Sequence, residues 1–138
     1  GWYLGRGKVQ RVAIKRPRPE FAQHGAEAVN FCRWVFDERI PFDERFRLDD
    51  DRYYCAELVD MAYRRNGLPL CQPIAIDELP KFDEFSPQTV WMVKTFTSIT
   101  PDQKVILPGN ESQGIWSSPA LQLLIEEQSP MDGPPAPR

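Results

Sequence analysis

Histidine is nearly missing from this sequence of 138 residues. It occurs once, at His24, which excludes any site that needs two imidazoles. Cysteine is sparse as well. Cys32, Cys55 and Cys71 form no CxxC pair and no cluster at zinc spacing, and an odd number leaves at least one thiol free unless chains pair. The spacings suit neither a disulfide framework nor a metal knuckle, so a reducing compartment, by default the cytoplasm, is the expectation. No apolar run approaches the roughly 20 residues of a membrane helix. No basic start leads into an apolar stretch, so no secretory signal is visible. A basic excess is absent too: 17 Lys and Arg stand against 20 Asp and Glu, for a net charge of -3. That balance argues against a general nucleic-acid binder.

What is present suits an ordinary globular domain. Hydrophobic residues make 41% and charged residues 27% of the chain, enough for a modest core. One domain is expected over residues 1–128, followed by a disordered tail, SPMDGPPAPR, over 129–138. The start at Gly-Trp-Tyr rather than Met marks a processed product, an excised piece or an incomplete sequence.

Proline and glycine punctuate the chain. Lys8 to Arg16 reads as a strand, with Val9, Val12 and Ile14 set among basic residues. Arg6, Lys8, Arg11, Lys15, Arg16 and Arg18 come with no acid between them, which fits a solvated strand face or a small anion-binding surface. A helix is expected from Pro19 to about Arg39, with Phe21, Ala28, Cys32, Val35 and Phe36 inward. A second runs from Tyr53 to Asn66, capped by Gly67, with Cys55, Leu58, Val59 and Ala62 as its apolar stripe. Thr89–Thr97 and Lys104–Leu107 read as strands, and Pro119–Glu127 as a last helix capped by Ser118. The order is β-α-α-β-β-α.

The chemistry concentrates in Tyr53-Tyr54-Cys55-Ala56-Glu57-Leu58-Val59. A thiol in the first turn of a helix faces unpaired N–H groups and the positive end of the dipole, which favour thiolate. The same N–H groups can hold an acyl-transfer oxyanion. Asp49, Asp50 and Asp51 just upstream would oppose thiolate formation if they face it. Spacing alone also fits Cys55 as a small core residue, Cys32 as core, and His24 as an exposed surface residue. The pairs Asp43/Glu44 and Asp83/Glu84 read as solvated loops, and Asn110-Glu111-Ser112 is a glycosylation triplet of a kind frequent by chance.

Pro41-Phe42-Asp43, the acidic run, Tyr53-Tyr54-Cys55-Ala56-Glu57-Leu58-Val59, Ala62-Tyr63-Arg64 and Gly67 together resemble the YiiX-like permuted papain-type cysteine hydrolases, a branch of the NlpC superfamily. The resemblance covers about residues 8 to 70. It implies an α+β, papain-like NlpC-type fold in which the nucleophile helix packs on a small antiparallel sheet. It implies a cysteine amidase or peptidase, with Cys55 as nucleophile, Tyr53, Tyr54, Glu57 and Tyr63 around the substrate pocket, and neither metal nor organic cofactor. Glu57 falls on the motif acid that anchors the loop, and Ala56 stands where Ser is usual. The partner implied is an amide-containing or acyl small molecule or peptide. In this family the catalytic histidine and its orienting residue precede the strand that starts here near Lys8, and His24 does not fall on that histidine. The chain is therefore expected to be the C-terminal part of a longer protein and to lack its base when alone. A non-catalytic binding domain of the same fold, or an acyltransferase using the same thiol, are the rival expectations.

Overall fold

The computed structural model describes residues 11–48, 50–79 and 98–128. The chain enters on β1 (Arg11–Pro17), which pairs antiparallel with β4 (Leu121–Gln128) at the far end of the sequence, with a register shift between Ile14 and Lys15. Pro17 and Pro19 stop the strand. Arg18 is held extended ahead of Pro19, and its N–H and Nε donate to the carbonyls of Ala120 and Pro119. A 3₁₀ turn at Pro19–Phe21 then feeds α1 (Gln23–Asp37).

After a loop turned by Asp43, α2 (Cys55–Arg64) follows, and it ends as the sequence implies. Gly67 adopts φ +84, and the N–H of Leu68 reaches back to the carbonyl of Tyr63. Two short strands, β2 (Ile74–Ala75) and β3 (Lys104–Val105), form a second antiparallel pair. The fold is α+β, with two helices and two small antiparallel sheets among the described residues. The expected strand at Thr89–Thr97, the pair Asp83/Glu84 and the tail from Ser129 lie outside those residues.

Three expectations need correction. The helix expected over Pro119–Glu127 is β4. Leu, Gln and Glu are good helix formers, but the exposed backbone edge of β1 supplies a ladder that outweighs weak local preference. Ser118 caps no helix; its hydroxyl is buried with no partner among the described residues. Second, α2 turns a different face inward: Ala56, Glu57, Asp60 and Ala62 are buried, whereas Cys55 and Val59 are exposed. A periodicity argument assigns carboxylates to solvent, and here two of them are satisfied inside. On α1, Ala28 and Val35 are buried as expected, but Phe36 is 79% exposed and Phe31 packs edge-on to Tyr53 instead. Third, α2 packs chiefly on α1, and towards the β1–β4 sheet it leaves a cleft.

Asp60 shows how a carboxylate serves as a core residue. Fully buried, it accepts from the Nε of Arg64 one turn on, and from the backbone N–H groups of Leu70 and Cys71 at 2.8 and 3.2 Å. Arg64 in turn donates to the Cys71 carbonyl. The pair thereby clamps the segment after α2 onto the helix. Removing Asp60 leaves the buried N–H of Leu70 unpaired and takes the anion from Arg64, which is about a third exposed, at a cost of roughly 1–3 kcal/mol. Asp60→Ala should lower stability by an amount in that range, and Asp60→Asn, which keeps an acceptor for Leu70, by less; urea unfolding of the three proteins measures both.

Candidate active site

The approach to α2 is built by Tyr54. Its backbone is extended (φ -94, ψ 171), and its ring is buried in a cluster with Ala56 and Ile106, against Phe46, Leu48, Cys71 and Ile115. The phenol donates to the Ile106 carbonyl at 3.1 Å and accepts from the Ile106 N–H at 2.6 Å. Burial pushes this phenol far above the ordinary tyrosine range, so it stays a neutral O–H. The carboxylate of Glu57 reaches back to the Tyr54 N–H at 3.4 Å, the reciprocal half of a capping interaction.

Upstream, the loop is folded on Asp43. Expected in a solvated loop, Asp43 is 1% exposed, because its carboxylate accepts from the backbone N–H groups of Arg45 and Arg47. Its own N–H donates to the Tyr53 carbonyl, and Phe42 bridges Tyr53. Asp50 is likewise turned onto the Arg52 N–H, Asp51 is exposed, and Asp49 lies outside the described residues.

Cys55 follows as the first residue of α2, exposed, where the helix's leading N–H groups have no intrahelical acceptor. Cys55 lines a cleft of about 390 Å³ between α2 and the β1–β4 sheet, walled by Val59, Tyr63, Ile115, Trp116 and Leu121, with Lys15 as the charged residue. That volume is within the range of small-molecule sites. Trp116 is set in place by a turn that only glycine permits. Gly109 and Gly114 both have positive φ, and a Cβ on Gly114 would lie 2.6 Å from the Gly109 Cα. The turn is closed by Asn110, whose side chain accepts from both the N–H and the hydroxyl of Ser112.

Of the four residues expected around the Cys55 pocket, Tyr63 lines the cleft. Tyr53 meets Phe31 edge-on, and Tyr54 and Glu57 are buried behind the helix start, so these three serve the backbone that presents Cys55. His24, expected to be exposed, is half-buried on the first turn of α1. Its ring is tilted 6.4 Å from Phe21, its Nδ1 is buried without a partner among the described residues, and it does not line the cleft. The sequence does not join Lys15 to Trp116 and Leu121, which lie about 100 positions further on and are brought beside it as β1 pairs with β4. The run of cations around Lys15 was the available signal.

No family model and no curated protein matches the chain. Among solved structures it is similar to metalloprotein yiiX from Escherichia coli O157:H7, with a TM-score of 0.65 and 21% identity, over 93% of this chain and 68% of that one. At that identity the likeness shows a shared fold. Metal is part of that protein's description; here, among the described residues, no three His, Cys, Asp or Glu side chains gather into a donor set.

The three thiols should separate in alkylation. Cys71 is pushed up to about 11 by burial and by Asp60 beside it, and Cys32 is raised by burial. At pH 8 about 0.1% of Cys71 is thiolate, so iodoacetamide should label Cys55 first by a wide margin, as peptide mass mapping will read. Linkage gives a second expectation. The native thiol of Cys71 keeps its proton while the unfolded thiol loses it, so the stability it contributes is complete below about pH 9. It should decline as pH rises towards about 11, and Cys71→Ala should show a flatter urea midpoint across that interval.

Proposed function

We propose that this chain carries the nucleophile of a cysteine hydrolase, an amidase or peptidase working through a thioester at Cys55. The observation that supports it is the placement of one exposed thiol at the first position of a helix, opening onto an apolar cleft, while the other two thiols are partly buried. In this reading the Cys55 sulfur attacks the amide carbon and the carbonyl oxygen takes the charge. The Cys55 N–H stabilises that oxyanion. The C–N bond then breaks, the amine leaves with the thiol's proton, and water hydrolyses the thioester to a carboxylate and the free thiol. The proton passes through a base that the family resemblance assigns to an upstream histidine; His24 is not placed for that work. Aligned backbone amides and a helix dipole lower the barrier even before a base is supplied.

The placement of His24 outside the cleft favours a second reading, a binding domain that keeps the pocket without turnover. An activated ester separates the two. Incubated with p-nitrophenyl decanoate, the chain should gain one acyl group on Cys55, removable by hydroxylamine, and Cys55→Ser should gain no such thioester. Amide cleavage should need a general base in addition to Cys55. If no acyl group forms on Cys55, or the adduct falls on Cys32 or Cys71, the hydrolase reading is lost and the binding domain stands.

A further inference from the structure

The cation-rich start of the chain is not used by the chemistry above, and the fold singles out one of its members. Along β1, Lys15 and Pro17 line the cleft of Cys55 and Ala13 and Lys15 line a second recess, whereas Ile14 and Arg16 are exposed. Lys15 stands where two recesses meet. One is the apolar cleft of Cys55; the other, about 620 Å³, is more polar and is shared with Arg18 and Glu111. The Lys15 ammonium donates to the Trp116 carbonyl at 2.6 Å and lies 4.4 Å from the centre of that indole.

An ammonium has three donors, and the carbonyl takes one. Among the described residues no carboxylate forms an ion pair with Lys15. Glu111, the acid in the polar recess, accepts from the Trp116 indole N–H at 2.8 Å, and the Nε of Arg18 is occupied by the Pro119 carbonyl. The recess thus holds two cations against one carboxylate that is already engaged. A wholly apolar ligand leaves the remaining Lys15 donors facing hydrocarbon, whereas an anionic one gives them a charge-assisted hydrogen bond.

Building on the hydrolase reading, we propose that Lys15 determines the specificity of this site by selecting N-acyl amino acids: the acyl chain lies in the apolar cleft, the amide carbon at Cys55, and the free carboxylate against Lys15 at the mouth of the polar recess. The reaction balances with water as the only co-substrate. A bond forms between the Cys55 sulfur and the acyl carbon as the C–N bond breaks, and the amino acid departs with the proton on its nitrogen. Water then releases the fatty acid and restores the thiol.

Two probes differing in charge alone test the assignment, N-decanoylglycine and N-decanoylglycinamide, titrated by calorimetry into the 138-residue chain carrying Cys55→Ser. The carboxylate should bind about tenfold tighter than the amide. The preference should vanish in Lys15→Met and survive in Lys15→Arg. Should Lys15→Met fail to fold, as circular dichroism would show, salt provides a reading free of mutation. The preference in the Lys15 protein must then shrink between dilute buffer and 1 M NaCl, about the range over which the Debye length falls to 3 Å. Equal binding of the two probes, no binding of either, a preference indifferent to both Lys15→Met and salt, or tighter binding of decyl phosphate than of N-decanoylglycine would each overturn the assignment. Failure of the hydrolase reading looks different: the charge preference persists while no acyl group ever forms on Cys55.

Discussion

A single phenol organises the residues around Cys55. By donating to the carbonyl of Ile106 and accepting from its N–H, Tyr54 replaces the two hydrogen bonds a neighbouring strand would have given that residue. An unsatisfied buried backbone group costs roughly 1–3 kcal/mol, so the chain is strongly held to this arrangement. With Tyr54 fixed, the next residue has little freedom. Cys55 starts the helix, and its side chain is left exposed beside the buried ring. The neighbouring supports act on the same few atoms: Glu57 holds the Tyr54 N–H, and Asp43 receives the loop that delivers Tyr53. The exposure of the thiol is a product of how completely its neighbours are buried.

Three of the buried side chains in this network are carboxylates, Asp43, Glu57 and Asp60. Burying an acid is costly unless donors surround it. Here most donors are backbone N–H groups of turns and helix ends, which would otherwise be unpaired themselves. Each acid therefore offsets two desolvation costs together, its own and that of the main chain it receives. Arg64 adds a charge on Asp60, where the clamp must hold a whole segment.

This arrangement also explains what the sequence could disclose. Local signals were legible: the proline stops around β1, the glycine that closes α2, the thiol at a helix start after an extended aromatic pair. The inward face of α2 was not, because Glu57 and Asp60 look like solvent-facing residues until the N–H groups they receive are known. β4 has a composition that favours a helix, and its strand partner is the other end of the chain. The glycine pair at 109 and 114 carries no periodicity at all; its meaning lies in a close approach of two backbones. Cys55 and Tyr63 could be found by motif, while Lys15, Trp116 and Leu121 required the sheet. The site is thus half local and half topological.

That division has a kinetic side. Lys15 and the Trp116 carbonyl it contacts are 101 positions apart, and β1 finds β4 only after everything between them has been ordered or bypassed. Contacts of such high sequence separation form late, because closing a long loop costs entropy before any pairing repays it. The helix that carries Cys55 depends on short-range bonds and the nearby Asp60 clamp, and it can form earlier. During folding, the thiol is therefore presented to solvent before its cleft exists. In that interval the helix start is formed without its apolar wall, so any ligand that needs the cleft must wait until the two ends of the chain have paired.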